Sequence, residues 1–195
     1  VQRMNEQDYL LGIDVGSTTV KVAIMDQVGE ILYSEYCRHF ARIQETLAEV
    51  LRRASEKLGS IPVLPAITGS GGMALAQAMK IPFVQEVIAV SESLDRRYPQ
   101  TDVAIELGGE DAKILYLTGG RDQRMNGICA GGTGSFIDQM AALLGTDAEG
   151  LNEYARNYKR IYPIAARCGV FAKSDLQPLI NEGAAKEDLA VSIFQ

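Results

Sequence analysis

The chain has 195 residues, a formal charge of −6 at pH 7 and an apolar content of 47%. A chain of this length can bury a substantial core in one large domain or two small ones. The acidic balance argues against nucleic acid or an anionic membrane surface as the main partner, because both attract basic patches.

The sequence also indicates a cellular compartment. No apolar run approaches the roughly 18 residues of a membrane span, and the start carries no signal-peptide pattern. Cys37, Cys129 and Cys168 are an odd number for a disulfide framework and fit a reducing compartment. We therefore expect a cytoplasmic protein. Because the chain starts without methionine and stops inside a helical pattern, we also expect it to be a fragment of a longer protein.

Strands and helices alternate along the first part of the chain, which indicates the α/β class. The first three predicted strands form an antiparallel meander, and the first predicted helix is an amphipathic crossover. Apolar runs bounded by turns predict strands at residues 10–16, 20–25, 30–36 and 63–67. Apolar residues at helical spacing predict helices at residues 42–58, 73–79 and 86–94.

The segment after residue 100 repeats the start of the chain. Each copy is an apolar strand, a carboxylate, a glycine turn and a second apolar strand. An acid, a glycine and a lysine recur at a constant offset of 92 residues, with Asp14, Gly16 and Lys21 followed by Glu106, Gly108 and Lys113. The repeat predicts two related lobes, the first over residues 1–100 and the second, incomplete, over residues 101–195.

Each copy suits a metal–nucleotide complex. The N–H groups of such a turn can hold phosphate oxygens while the carboxylate holds Mg²⁺ or its waters. One turn alone is weak support, because a glycine-rich hairpin with a capping Asp looks the same, but two copies in register favour phosphate. Asp14 and Glu106 are therefore the predicted catalytic acids, with Asp14 on Mg²⁺. The predicted ATP-contacting residues are Gly12, Gly16, Ser17, Thr18, Thr19 and Lys21 in the first copy, and Gly108, Gly109, Glu110 and Asp111 in the second.

A third glycine-rich stretch follows Cys129 and opens a helix predicted at residues 135–144. Backbone N–H groups and the helix dipole stabilise negative charge at such a terminus. The anion is a nucleotide phosphate or a thiolate-bound iron–sulfur cluster, unless the stretch is only a tight structural turn. Because the two acid-bearing hairpins are better candidates for phosphate, the cluster is the favoured anion here. The stretch comprises Gly131, Gly132, Thr133 and Gly134.

The last part of the chain is predicted to be helical. Helical patterns cover residues 151–158 and 170–181, and Pro178 is expected to kink the second helix or end it early. Cys168 stands just before this second helix, as Cys129 stands before the helix at 135–144.

Other side chains are assigned simpler roles. Cys37 is expected to pack in a strand, and His39, the only histidine, to be solvated at a strand end. Lys21 and Lys113 either touch phosphate or point to solvent. The methionines expected in the core are Met73, Met79 and Met140.

These motifs resemble those of the superfamily of actin, heat-shock chaperone ATPases and sugar kinases. Within it the match is to the activator ATPases of 2-hydroxyacyl-CoA dehydratases and benzoyl-CoA reductases, and it spans nearly the whole chain. The two cysteine-bearing motifs are the specific ones, because sugar kinases of the superfamily do not carry a cysteine at each. The motifs are LGIDVGSTTVK at 11–21, TGSG at 68–71, LGGEDAK at 107–113, CAGGTGSF at 129–136 and CGVFAKSD at 168–175.

The resemblance implies an actin-like, ribonuclease-H-like ATPase fold, with the first lobe followed by the start of the second. It implies a homodimer with one [4Fe–4S] cluster between subunits, to which each chain supplies Cys129 and Cys168. ATP hydrolysis with Mg²⁺ would then drive a low-potential electron from a ferredoxin- or flavodoxin-type donor to a partner CoA-ester dehydratase or reductase. Two thiolates per chain need dimerisation to supply four ligands, and helix N-termini would stabilise the negative charge of the cluster.

The sequence departs from this family pattern at two positions. Glu106 stands where many activators have Asp, and Gly131 where many have Ala. Two rival functions remain open. One is a small-molecule kinase of the same superfamily, for sugar or carboxylate phosphotransfer, in which the cysteines are incidental; the other is a non-catalytic nucleotide-sensing module.

Overall fold

The computed structural model describes residues 8–119, 122–126, 132–165 and 168–195. The chain divides into two compact units between Thr101 and Asp102. In the part of the chain that is described, no helix is long and apolar enough to cross a membrane.

The first unit is built on a four-stranded sheet with the order β3-β2-β1-β4. The strands are β1 (Tyr9–Val15), β2 (Thr19–Met25), β3 (Ile31–Arg38) and β4 (Val63–Thr68), of which the first three are antiparallel neighbours and β4 is parallel to β1. A parallel partner requires a long crossover, and α1 (Ile43–Leu58) provides it. The predicted meander and crossover helix are confirmed. Two shorter helices follow, α2 (Gly72–Met79) and α3 (Glu86–Arg97).

Alternate residues of the strands and one face of α1 form the core of the first unit. Leu11, Ile13 and Val15 point to one side of β1 because strand side chains alternate with a period of two. Leu47, Val50 and Ala54 of α1 recur at helical spacing and are buried with them. Asp14 and Gly12 therefore lie on the opposite face of the sheet.

The described residues of the second unit form a three-stranded antiparallel sheet and four helices. The strands are β5 (Val103–Leu107), β6 (Ala112–Tyr116) and β7 (Asp122–Met125), in the order β5-β6-β7. The helices are α4 (Gly134–Leu143), α5 (Ala148–Ala155), α6 (Gly169–Asn181) and α7 (Lys186–Phe194). A core between the helices includes Met140, Leu151, Leu176 and Leu189, none of them more than 1% exposed.

The structure contradicts two expectations, namely an early end of α6 at Pro178 and a core position for two of the methionines. Pro178 does not end α6 early, since the helix continues to Asn181, and a kink at this position stays a prediction. A proline so close to the helix end removes one internal hydrogen bond. The last turn is held in place by Leu176, which is buried in the helical core, and by the partly buried Leu179 and Ile180, which pack against it. In the first unit Met73 and Met79 are exposed, at 53% and 47%, whereas Met140 is buried as predicted.

A polar cluster joins β3 to α1. The guanidinium of Arg53 donates from Nε to both carboxylate oxygens of Glu35, at 3.0 and 3.2 Å, and from Nη2 to Oε1 at 2.5 Å. Tyr33 donates its hydroxyl to the same carboxylate, and the Cys37 thiol donates to it at 3.1 Å. The bonds from Arg53 hold the pKa of Glu35 at about 2, below its ordinary value of 4.5. The packing role expected for Cys37 is confirmed, and its side chain contacts the apolar core.

The stabilisation from Glu35 is expected to depend on pH. Because the folded pKa of about 2 lies below the ordinary 4.5, the contribution is complete above about pH 4.5 and is lost as the pH falls towards 2. Thermal unfolding should be measured between pH 6 and pH 2.5. The melting temperature of Glu35→Gln should lie about 5 °C below that of the parent protein at pH 6, and the difference should shrink as the pH falls. Glu49→Gln is the control, because Glu49 lies 3.9 Å from Arg53 with its side chain 60% exposed. A gap that stays constant down to pH 2.5 would contradict the assignment.

Candidate functional site

The two copies of the repeat fold into hairpins of the same geometry. In the first, the Gly16 N–H donates to the Thr19 carbonyl at 2.9 Å, and in the second the Gly108 N–H donates to the Asp111 carbonyl at 2.8 Å. Both are two-residue loops between antiparallel strands, with Ser17 exposed at the tip of the first. The offset of 92 residues in the sequence is therefore also a structural repeat.

Each hairpin carries an acid–lysine pair on one face of its sheet. Asp14 lies directly across from Lys21, whose Nζ is 2.7 Å from Oδ2 of the carboxylate. Glu106 lies across from Lys113, with Nζ 3.7 Å from Oε1, and Asp111 is 3.2 Å from the same Nζ. Both lysines thus lie beside the acids, and Lys113 is only 8% exposed, so the solvent-facing alternative is wrong for it.

The first acid–lysine pair borders a groove in the first unit. The groove has a volume of about 830 Å³ and an apolar floor that includes Ala23 and Ala66. Ligand pockets in proteins measure about 300–1,000 Å³. The first hairpin therefore offers a carboxylate and an ammonium group next to a space that can admit a ligand.

The loop between β4 and α2 packs against the end of β1. The Gly71 N–H donates to the Val15 carbonyl at 2.8 Å, and the Ser70 N–H donates to Oε1 of Glu86 at 3.1 Å. Thr68 is the parallel neighbour of Asp14, and its hydroxyl oxygen is buried without a hydrogen-bond partner among the described residues. An orphaned hydroxyl beside the predicted metal-binding acid is the kind of group that a bound ligand satisfies.

Gly69 makes room for the carboxylate of Asp14. A Cβ at this position would overlap the Val15 carbonyl oxygen and come within 2.5 Å of Oδ1 of Asp14, and the backbone has a φ of +96°. Gly69→Ala is therefore expected to lower the free energy of unfolding by more than the roughly 1–3 kcal/mol of strained backbone alone. It should also displace Asp14.

Gly59→Ala is the matched control, because Gly59 has a φ of +76° but a Cβ added there would meet no atom within 4 Å. Urea unfolding of both variants separates backbone strain from the overlap at Asp14. Equal losses of unfolding free energy in the two variants would contradict the role of Gly69.

His39 contacts the first hairpin, and no sequence signal predicts this contact. The expectation that it is solvated is wrong, since it is 5% exposed and its ring nitrogen Nε2 lies 3.2 Å from the Gly16 carbonyl oxygen of the first hairpin. A single histidine at the end of a strand forms no sequence pattern with other residues that would predict such a contact. The contact depends instead on how the following turn directs the ring.

The second hairpin receives the start of α4. The N–H groups of Gly134 and Ser135 donate to the carbonyls of Gly108 and Gly109 at 2.9 and 2.8 Å. The expectation that the N–H groups at this helix start are open to an anion is therefore wrong for these two amides, because the hairpin carbonyls accept them. Thr133 is 1% exposed at the N-cap position. Cys129 and Gly131 lie outside the described residues.

Cys168 is the N-cap residue of α6 and is half-buried. The next residue, Gly169, packs so closely on Phe136 of α4 that a Cβ would come within 2.9 Å of the ring. The first turns of α4 and α6 are therefore in contact. Val170 and Phe171 follow in the first turn of α6 and are exposed at 68% and 65%. Within the described ranges, no three side chains of the His, Cys, Asp or Glu type form a group that could hold a metal ion.

Paired acid-bearing hairpins on α/β units give the chain the fold of the actin-like ATPases. Comparison with known proteins places it more narrowly, since residues 11–195 match the BadF/BadG/BcrA/BcrD ATPase family. The chain belongs to this family, and membership supports ATP binding and hydrolysis. The family predicted from the motifs is confirmed.

Characterised relatives are activators of CoA-ester dehydratases. The chain is 31% identical to the 2-hydroxyisocaproyl-CoA dehydratase activator of Clostridioides difficile, over 95% of this chain and 71% of the relative. It is 30% identical to the (R)-2-hydroxyglutaryl-CoA dehydratase activating ATPase of Acidaminococcus fermentans, over 96% and 73%. The solved structure of the Clostridium difficile activator with bound ADPNP superimposes with a TM-score of 0.82 at 28% identity, over 95% of this chain and 70% of that one.

Proposed function

We propose that the protein is an ATP-hydrolysing activator that carries a [4Fe–4S] cluster between two subunits and passes a low-potential electron to a CoA-ester dehydratase or reductase. One connection in the second unit carries the proposal. The carbonyls of Gly108 and Gly109 in the second hairpin accept hydrogen bonds from the first two amides of α4. Helix α4 in turn contacts Gly169, the residue after Cys168. A predicted phosphate-binding hairpin is thus joined by direct contacts to the helix that begins at a predicted cluster ligand.

The hairpins supply the proposed ATP site. Asp14 holds Mg²⁺ or its waters, and Glu106 is the second catalytic acid. Each acid has a neighbouring lysine that supplies positive charge for phosphate. The turn amides then bind phosphate oxygens. The remaining residues proposed to contact the nucleotide are Gly12, Gly16, Ser17, Thr18 and Thr19 in the first hairpin, and Gly108, Gly109, Glu110 and Asp111 in the second. The glycine-rich stretch of Gly131, Gly132, Thr133 and Gly134 is instead proposed to bring the start of α4 close to the cluster.

The cysteines supply the proposed cluster site. Cys168 fits a thiolate ligand, because it is half-buried at the start of a helix, where the dipole favours negative charge. With Cys129 it gives two thiolates per chain, and two chains complete the four ligands of a [4Fe–4S] cluster, which supplies one-electron chemistry when bound. The exposed Val170 and Phe171 beside Cys168 offer apolar surface for the second subunit.

The partners are proposed from the relatives. Activators in this family serve 2-hydroxyisocaproyl-CoA and (R)-2-hydroxyglutaryl-CoA dehydratases, so we infer a dehydratase or reductase of a CoA ester as electron acceptor. A ferredoxin- or flavodoxin-type protein is the proposed donor, and the cytoplasm the proposed location.

Anaerobic purification of the full-length protein tests the proposal. About four iron and four sulfide per dimer, an electron paramagnetic resonance signal on reduction, and ATP-stimulated reduction of a dehydratase would support it. ATP-dependent phosphorylation of a sugar or carboxylate without a cluster would instead identify a kinase. ATP binding with neither cluster nor turnover would identify a nucleotide-sensing module.

A further inference from the structure

We propose that His39 is a positioning residue that holds the first hairpin in its phosphate-binding conformation, an inference that rests on the proposed function of that hairpin. His39 follows β3 and touches the hairpin twice. Its backbone N–H donates to the Thr18 carbonyl at 3.1 Å, and its ring Nε2 lies 3.2 Å from the Gly16 carbonyl oxygen. At 5% exposed, the ring makes this contact away from water.

The other ring nitrogen decides the direction of the bond to Gly16. The Ala41 N–H donates to Nδ1 at 3.1 Å, so Nδ1 is an acceptor and the proton of the neutral ring is on Nε2. Nε2–H therefore donates to the Gly16 carbonyl. Both nitrogens of the His39 ring thus make hydrogen bonds, which a hydrocarbon side chain at this position could not make.

His39 contacts the carbonyls of Gly16 and Thr18, and these contacts set the directions in which the next two N–H groups of the hairpin point. In a trans peptide unit the C=O and the following N–H point in opposite directions. When His39 draws the Gly16 carbonyl towards itself, the Ser17 N–H must point away from His39. The same holds for the Thr18 carbonyl and the Thr19 N–H. His39 thus orients the turn amides that are proposed to meet phosphate oxygens.

The turn after His39 has a strained backbone. Phe40 and Ala41 have φ angles of +45° and +63°, in the left-handed region that non-glycine residues rarely occupy. The Arg42 N–H closes the turn on the His39 carbonyl at 2.7 Å, and Phe40 is left 76% exposed. Strain of this kind persists where the surrounding contacts over-determine it, and it clusters at functional sites.

Two variants distinguish the hydrogen bond of Nε2 from that of Nδ1. The Nε2 of a glutamine can reach the position of the imidazole Nε2, whereas the Oδ1 of an asparagine can replace only Nδ1. His39→Gln therefore keeps the bond to Gly16, and His39→Asn keeps only the bond from Ala41. Since one hydrogen bond contributes about 0.5–1.5 kcal/mol, His39→Asn should weaken Mg·ATP binding by about two- to twelvefold, and His39→Gln by less than about twofold. Phe40→Ala, which alters the same turn without touching Gly16, should leave the Kd unchanged.

The experiment measures the Kd for Mg·ATP by titration calorimetry on the full-length variants, together with hydrogen exchange of the Gly16 amide, which bonds to Thr19. The expected result is that exchange accelerates and affinity falls in His39→Asn but not in His39→Gln. The reverse order, or lowered melting temperatures with unchanged Kd and exchange in both variants, would overturn the positioning role. If the parent protein binds no nucleotide, the proposed function fails, and exchange at Gly16 still decides whether His39 holds the hairpin.

Discussion

Cys168→Ser is expected to remove the cluster and with it all ATP-stimulated electron transfer, while nucleotide binding and folding persist. A serine hydroxyl is a poor ligand for iron at neutral pH, and a cubane cluster takes four thiolates. The fold should persist because Cys168 is a half-buried cap residue outside the helical core formed by Met140, Leu151 and Leu176. Iron and sulfide content, the resonance spectrum and ATP turnover of anaerobically purified protein measure the outcome.

Cys37→Ser is the matched control for this experiment. The Cys37 thiol donates to Glu35, and that hydrogen bond, with burial, raises the pKa of the thiol. A thiol that keeps its proton is a poor metal ligand, because the thiolate is the form that binds. Cys37→Ser should therefore retain the full iron content. Iron retained in Cys168→Ser, or lost equally in both variants, would contradict the cluster assignment.

The acid–lysine pairs could be predicted from the sequence, because the hairpin geometry determines them. A two-residue loop at Ser17 and Thr18 pairs Asp14 with Lys21, and the same spacing applies in the second copy. The loop length therefore predicts that each lysine lies beside its acid, since cross-strand partners share a face. It does not predict exposure, because the Lys21 side chain is 42% exposed and that of Lys113 only 9%. The α/β class and the family followed from motifs of the same local kind.

The docking of α4 on the second hairpin could not be predicted from sequence. The glycine-rich stretch at the start of α4 predicts that another group lies close to its backbone, and Gly134 does lie close to Gly108 and Gly109. Which group accepts the first amides of α4 depends on tertiary structure, because the carbonyls of a hairpin compete with an external anion for the same amides. The position of His39 has the same origin, since it follows from two strained residues that local propensity disfavours.

Asp14→Asn and Glu106→Gln are each expected to lower the kcat of ATP hydrolysis on the order of 10²–10³-fold. Each substitution preserves size and removes the charge that holds Mg²⁺ or its waters at the proposed site. Asp14→Asn also breaks the 2.7 Å ion pair, which leaves the Lys21 ammonium without its carboxylate. Steady-state kinetics and Mg²⁺ titration measure the effect, and the Mg²⁺ concentration for half-maximal rate should rise most for Asp14→Asn.

Asp26→Asn is the control that distinguishes the expected loss of kcat from a general effect of removing a carboxylate near a strand end. Asp26 accepts hydrogen bonds from the Val28 and Glu30 amides in the turn between β2 and β3, and an asparagine oxygen can accept the same bonds. Its kcat should therefore equal that of the parent protein. If Glu106→Gln also keeps the parent rate while Asp14→Asn loses it, the second hairpin does not act on the nucleotide. The structural repeat would then have diverged in function, with the buried Lys113 neutralising Glu106 and Asp111 as a structural group.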